Sequence, residues 1–136
     1  MDNRVSVISA GEHNSLCCSP DGTCLLSVGS AASAGEATVF GSDLTVKGVL
    51  RAPHQPDQSH VCQPHYCVHS VATDGTHHVT GDGDGYIKLW DAATLVPIAH
   101  FRHGMSRVNG LAARDDVLVS GSADGTAAVW SIALCR

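Results

Sequence analysis

The chain has 136 residues, which is the size of one ordinary domain, and 43% of them are apolar. That fraction is too high for an intrinsically disordered protein, and no apolar run is long enough to cross a membrane. A net charge of −5 argues against a nucleic-acid partner, because nucleic-acid-binding surfaces are basic. The first residues lack the basic start and long apolar middle of a signal peptide, so we expect an intracellular protein, in the cytoplasm or nucleus.

The apolar residues come in short runs that polar turns separate. Cys24–Ser27 and Val117–Val119 are two such runs. Asp84-Gly85 and Asp124-Gly125 are two-residue hairpin signals, because both residue types tolerate a positive φ. No segment keeps the 3.6-residue period of a helix, so the sequence predicts an all-β fold.

The chain also repeats itself. Residues 80–91 align with residues 120–131 at an offset of 40 residues, and the two segments end in Trp90-Asp91 and Trp130-Ser131. A weaker, earlier copy ends in Gly35–Phe40, and two insertions lengthen the distance along the chain between this copy and the next. Because one register relates three segments, we infer three copies of one structural unit.

These segments resemble the repeats of the WD (Trp-Asp) family of β-propellers, in which about 40 to 45 residues form one four-stranded blade. The resemblance is strong over Tyr66–Ser131 and degenerate over Glu12–Gly48, and only Trp90-Asp91 keeps the signature dipeptide. It implies one all-β domain of three blades, as an incomplete ring or as part of a larger propeller. The implied units are an N-terminal strand at 4–9, blades at 12–50, 66–101 and 102–136, and a loop at 51–65.

The resemblance further implies four strands in each of the first two blades and three in the last. They are expected near 15–19, 24–28, 36–40 and 45–50, then 67–72, 77–81, 86–90 and 95–100, and finally 107–112, 117–120 and 126–131. The outer faces of the first and third blades would be uncovered and apolar, which soluble monomers rarely tolerate. We therefore predict a partner or a second copy, in which the strand at 4–9 completes the other chain's third blade and a homodimer forms a six-bladed ring.

Blades of this family often contain a buried, hydrogen-bonded chain of Trp, Ser or Thr, His and Asp. The resemblance places such chains on Trp90, Thr80, Asp84 and His65 (with His60 as the alternative histidine), and on Trp130, Ser120, Asp124 and His103. A Ser, a His and an Asp together also suggest nucleophilic catalysis, but the sequence has no nucleophile elbow. We interpret the residues as structural, because buried indole N–H and imidazole groups need hydrogen-bond partners.

His and Cys residues are densest between His54 and His69. Cys62, His65, Cys67 and His69 are residue types that zinc accepts, and Cys67 and His69 would share one face of a strand. No second zinc knuckle accompanies them, and without a secretory signal all six cysteines are expected to be free thiols. A zinc-dependent binding module is therefore the alternative interpretation.

A propeller is a stiff frame whose loops present side chains at fixed spacing. We therefore predict a protein–protein interaction scaffold that is not an enzyme and binds no cofactor. Its contact surface is expected at the end of the fold that carries the 51–65 loop, with Tyr and Arg as favoured anchors. The candidate contact residues are Tyr66, Arg107, Ser106 and Asp82.

Overall fold

The computed structural model of the chain describes residues 15–28, 36–51 and 68–135. Within these ranges the strands form three antiparallel sheets, each built from consecutive segments of the chain. The first sheet consists of β1 (Ser15–Cys18), β2 (Cys24–Val28), β3 (Glu36–Gly41) and β4 (Val46–Arg51), in that order.

The second sheet repeats this arrangement with β5 (Val68–Thr73), β6 (His77–Asp82), β7 (Tyr86–Asp91) and β8 (Pro97–Arg102). The third sheet has β10 (Val117–Ser122) at its centre, between β9 (Val108–Arg114) and β11 (Ala127–Ser131). One helical turn, α1 (Ile132–Cys135), follows β11. No helix in the described ranges is long and apolar enough to cross a membrane.

The expectation of three consecutive antiparallel sheets with four, four and three strands is confirmed, and each strand begins and ends within about two residues of its predicted position. Arg51 is a correction, because it pairs with Glu36 as the last residue of β4 and does not begin the loop. The predicted strand at 4–9 and the rest of the loop at 51–65 lie outside the described residues.

The sheets pack face to face through two apolar clusters. In the cluster between the second and third sheets, Val108 of β9 lies so close to Gly81 that a Cβ there would stand 2.7 Å from a Val108 methyl. Ser70 Oγ donates a hydrogen bond of 3.1 Å to the Val108 carbonyl at the same place. The first strand of each following sheet therefore covers the face of the sheet before it.

The turn between β7 and β8 contacts the first sheet. Leu95 adopts a positive φ of 60°, which places its side chain against Gly48 of β4. A Cβ at position 48 would collide with Leu95 Cδ1, the flexible end of that side chain, so a larger residue at this position would require Leu95 to shift. Leu95 packs against the apolar cluster that joins the first two sheets.

Candidate functional site

A hydrogen-bonded chain of five side chains runs through the third sheet. Trp130 Nε1 donates to Ser120 Oγ at 2.9 Å, and His103 Nδ1 lies 2.7 Å from the same oxygen. His103 Nε2 lies 2.7 Å from Thr126 Oγ1, which donates to Asp124 Oδ1 at 2.5 Å. Because Thr126 gives its one proton to the carboxylate, it accepts from His103 Nε2.

Thr126 is the member of this network that the sequence reasoning missed. We expected His103 to reach Asp124 directly, and the structure inserts the Thr126 hydroxyl between them. The sequence feature that could have indicated this role is the hydroxyl of Thr126, which follows Gly125 at the repeat position that Tyr86 occupies in the second sheet.

In the second sheet, Trp90 Nε1 donates to Thr80 Oγ1 at 3.1 Å, and both residues are buried. The predicted histidine of this network, His65, lies outside the described residues, as does His60. Asp84 lies beside Arg102, whose Nη2 stands 3.4 Å from Asp84 Oδ1. The same guanidinium donates to the Asp84 carbonyl at 3.0 and 3.2 Å, an arrangement that was not predicted.

The geometry of the third-sheet network is that of a structural element. Ser120 is fully buried, and its oxygen is already shared by the Trp130 indole and the His103 imidazole. A catalytic nucleophile must instead meet its substrate in an open cleft. The Ser, His and Asp of this sheet therefore hold two strands and the preceding segment together.

Of the four zinc candidates, His69 lies in β5, and Cys62, His65 and Cys67 lie outside the described residues. In the ranges 15–28, 36–51 and 68–135, no three His, Cys, Asp or Glu side chains are grouped so that they could hold a metal ion. The only other cysteines are free thiols: Cys17, Cys18, Cys24 and Cys135. Burial raises the pKa of Cys17 to about 12, so this thiol behaves as a small apolar side chain.

The predicted contact residues have different surroundings. Arg107 is exposed, and its Nε donates to Asn109 Oδ1 at 2.6 Å, whereas Ser106 is half-buried. Tyr66 lies outside the described residues. Asp82 is buried, so it presents no side chain to a partner.

Asp82 instead caps the turn between β6 and β7. Its Oδ1 accepts backbone hydrogen bonds of 2.9 Å from Asp84 and from Tyr86. Burial raises the pKa of this carboxyl to about 6, although the two hydrogen bonds and Arg102 favour its charged form. This burial could not be predicted from the sequence, because it depends on the segments packed above the turn.

An apolar surface lies on the side of the third sheet that points away from the second sheet. Val119 pairs with Ala112 on one side and with Val129 on the other, which makes one continuous row across the three strands. Charged side chains are scarce here, with Arg114 at one end. We call this surface the outer face, and it consists of Gly110, Ala112, Val117, Val119, Ala127 and Val129.

The corresponding positions of the second sheet are covered. Val129 is 73% exposed, whereas Leu89, which occupies the same repeat position, is 0% exposed. Val119 is likewise exposed and its counterpart Val79 is buried, because β9 packs over Val79. The outer face therefore has the composition of a buried sheet face but is open to solvent in this chain.

Residues 56–91 and 95–131 match the family model described as "WD40: WD domain, G-beta repeat". A crystal structure of RRP9 WD40 repeats is similar, at 22% identity and a TM-score of 0.75, over 98% of this chain and 39% of that one. The structure of U3-55K has 22% identity and a TM-score of 0.76, over 98% and 40% of the two chains. The Cps50 (Swd1) β-propeller domain of Myceliophteria thermophila has 15% identity and a TM-score of 0.71, over 96% and 38%.

At these identities the likeness concerns the fold alone, and the chain spans about two fifths of the length of these structures. A search of curated protein sequences found no match. The family model nevertheless covers more than half of the chain, in the two repeats whose sheets are described above. The chain therefore belongs to the WD40 repeat family, and its three sheets are blades of a β-propeller.

Proposed function

We propose that this chain is a non-catalytic, cofactor-free scaffold that binds another protein through the outer face. WD40 repeat domains are generally protein-interaction scaffolds, which supports the general role. The observation that carries the proposal is the exposure of Val119 and Val129 in the outer face, because their counterparts in the preceding repeat, Val79 and Leu89, are completely buried.

The outer face is suited to a protein because it is flat, apolar and almost free of charge. Burying a valine side chain completely stabilises a complex by about 1.5–3 kcal/mol relative to full exposure, and somewhat less from partial exposure. Val117, Val119 and Val129 together offer enough apolar area for the centre of an interface, where charged residues are normally depleted.

Exposed Arg107 and half-buried Ser106, at the end of the sheets, are proposed as a second contact region. Arginine is favoured at such positions because it combines apolar contact area with several hydrogen-bond donors. We place the scaffold inside the cell, and the four free cysteines of the described ranges support this placement. A net charge of −5 supports a protein partner over a nucleic acid.

A homodimer is the second candidate, because the first sheet also exposes large apolar residues. Leu16 pairs with Ser27, and Val46 pairs with Phe40, so both lie on the side of the first sheet that faces away from the second. Both are exposed. Two copies that pack the third sheet of one against the first sheet of the other would form a six-bladed ring with two-fold symmetry.

The scaffold proposal is tested with charged substitutions on the outer face. The double variant Val119→Glu/Val129→Glu and the control Val96→Glu, an exposed valine of the turn between β7 and β8, are compared with the unmodified chain. Proteins captured from cell extract should bind the unmodified chain and the control and be lost from the double variant. Equal capture by all three chains would contradict the proposal.

Light scattering on the same three proteins tests the homodimer. A mass twice that of one chain, which falls to that of one chain in the double variant, is the result expected. A cooperatively unfolding monomer at all concentrations would exclude the homodimer and leave the scaffold role in place.

A further inference from the structure

A cavity of about 310 Å³ lies where the first and second sheets meet, at the end of the sheets opposite Arg107. The β1–β2, β5–β6 and β7–β8 turns contribute to its lining. Its volume is at the lower end of the range for ligand sites, so the occupant that fits is a small molecule. The lining brings together a thiol, an imidazole and an ammonium group, which belong to Cys24, His78 and Lys47.

Cys24 and His78 face each other across the junction of the two sheets. Cys24 is half-buried at the start of β2, and its backbone N–H donates to Ser19 Oγ at 3.1 Å, which holds the start of the strand in place. His78 is buried in β6, and its Nε2 lies 3.7 Å from Cys24 Sγ. A nucleophile and a base in contact beside a cavity are the arrangement that covalent chemistry requires.

The other ring nitrogen of His78 has its own partner. His78 Nδ1 lies 2.8 Å from Thr73 Oγ1, and this hydroxyl donates to the His77 carbonyl at 3.0 Å. Because a hydroxyl has one proton, the Thr73 oxygen is an acceptor for a proton on Nδ1. Nε2 then presents its lone pair to Cys24, as a base must. Burial lowers the pKa of His78 below its usual 6.5, so the imidazole is neutral at pH 7.

The thiol needs this base in order to react. Burial raises the pKa of Cys24, whereas the nearby Lys47 ammonium lowers it. At neutral pH the pair is therefore a thiol beside a neutral imidazole, and a thiol is a weak nucleophile until its proton leaves. Transfer of that proton to His78 supplies the reactive sulfur while the new bond forms. The other charged or titratable groups that act on the pair are Asp21, Asp74, Asp91 and His77.

We propose that Cys24 adds covalently to small α,β-unsaturated carbonyl compounds that carry a carboxylate, with His78 as the base. The sulfur bonds to the β-carbon of the acceptor while the thiol proton moves to His78 Nε2. The π electrons of the C=C bond shift to the α-carbon and its carbonyl group, and the α-carbon then takes the proton from Nε2. The product is a thioether, the neutral imidazole is restored, and no oxidant or reductant is consumed.

Lys47 specifies the carboxylate of the acceptor. It is the one ammonium or guanidinium group in the lining of this cavity, whose residues all belong to the described ranges. A carboxylate beside Lys47 would form an ion pair with it. Because Lys47 is exposed, the expected preference for a charged acceptor is only about two- to fivefold. The site is separate from the outer face, so the proposal does not depend on the scaffold role.

Monoethyl fumarate, which carries one carboxylate, and diethyl fumarate, its uncharged counterpart, are the probes. Each is reacted with the full chain, and peptide mass spectrometry measures the modification of Cys24 and of the exposed Cys18. The Cys24-to-Cys18 ratio cancels the intrinsic reactivity of the probe, and it should be about two- to fivefold higher with the monoester. Lys47→Gln should remove this difference. Arg114→Gln, which neutralises an exposed arginine of the third sheet, is the matched control and should keep it.

The pH dependence of the reaction tests the role of His78. A thiol that reacts only as free thiolate gains about tenfold in rate per pH unit below its pKa. Because His78 is already neutral, modification of Cys24 should gain less than about twofold between pH 7 and 8. His78→Gln removes the base and should restore the steep dependence. If that variant does not fold, the profile of the unmodified chain decides.

Three results would overturn the proposal. A steep pH profile for Cys24 in the unmodified chain would exclude His78 as the base. Equal Cys24-to-Cys18 ratios with the two probes would exclude the carboxylate-bearing class. Modification of Cys17 as fast as that of Cys24 would show that the sheet must open first, which would exclude the cavity as the site.

A failure here is distinguishable from a failure of the scaffold role. Capture of proteins by the outer face is measured with Val119→Glu/Val129→Glu, and neither substitution lies in a sheet that lines the cavity.

Discussion

The second and third sheets have the same repeat and differ in what covers them. Val79 and Leu89 of the second sheet are buried in the apolar cluster that it shares with the third sheet, whereas Val119 and Val129, at the same repeat positions, face solvent. The repeat therefore specifies a side-chain type at each position, and the neighbouring sheet decides whether that side chain is buried. Two residues at equivalent repeat positions can therefore contribute very differently to the free energy of unfolding.

The same contrast extends to the turns. Gly85 and Gly125 both close the turn before the third strand with a φ near 90°. A Cβ at Gly85 would collide with the Gly104 carbonyl, whereas a Cβ at Gly125 would meet no atom within 4 Å. The segment between β8 and β9 packs directly against Gly85, whereas it contacts the second turn only at residues other than Gly125.

The largest expected effect comes from placing a charge at the two equivalent valines. Val79→Asp buries an unpaired carboxylate and should cost at least about 4 kcal/mol, enough to abolish cooperative unfolding in a denaturant titration. Val119→Asp should cost about 1 kcal/mol, because its carboxylate stays in water. Similar losses for both variants would mean that the outer face is covered in solution.

The two tryptophans are expected to differ in the same direction. Trp90→Ala should cost about 3–5 kcal/mol, as for a large side chain removed from a core. Trp130 is only half-buried, although its ring lies 4.8 Å from that of Phe101, and Trp130→Ala should cost about 1–3 kcal/mol. Urea unfolding monitored by circular dichroism measures both, and a larger loss for Trp130 would contradict the comparison.

A pH dependence is expected from Asp82, whose repeat counterpart is the uncharged Ser122. The folded chain raises the pKa of Asp82 from 3.8 to about 6, so it binds this proton more tightly than the unfolded chain does. The free energy of unfolding should therefore fall as the pH rises from about 4 to 6 and stay lower above that range.

Asp82→Asn removes this titration and keeps an oxygen that can accept from the Asp84 and Tyr86 amides. The fall in unfolding free energy between pH 4 and 7 should be smaller in the variant, by about 2–3 kcal/mol. Denaturant titrations of both proteins at the two pH values measure the difference. Parallel pH profiles would show that the carboxyl titrates as it does in the unfolded chain.

The smallest expected effect concerns the hydroxyls that accept from the tryptophans. Thr80→Val leaves the buried Trp90 N–H without this acceptor and should cost about 1–3 kcal/mol. Ser120→Ala should cost about 1 kcal/mol, because water can reach the half-buried Trp130 and His103. The reverse order in urea titrations would mean that the third-sheet network is the better shielded of the two.

Strand positions could be predicted because the resemblance to the WD family implies four strands in each blade, and hairpin turns and alternating apolar residues mark where such strands lie. Asp84-Gly85 and Asp124-Gly125 mark their turns without reference to the rest of the fold. The Trp–hydroxyl pairs were implied by the family resemblance, and each joins neighbouring strands of one hairpin.

Features that depend on packing between sheets escaped the sequence reasoning. The burial of Asp82 and the bridging hydroxyl of Thr126 arise where the segment between two sheets meets a turn. The contact of Arg102 with Asp84 joins residues from a strand end and a turn of the same sheet, and no spacing rule indicated it.

The contact between Leu95 and Gly48 affects the order in which the parts of the chain can fold during synthesis. On the ribosome, the first sheet is synthesised before Leu95, so the notch beside Gly48 is empty when β4 is complete. Domains generally acquire structure from the N-terminus as they are made, at about 5–20 residues per second. Because Leu95 is made only when most of the second sheet has been synthesised, β4 reaches its final packing several seconds after its own synthesis.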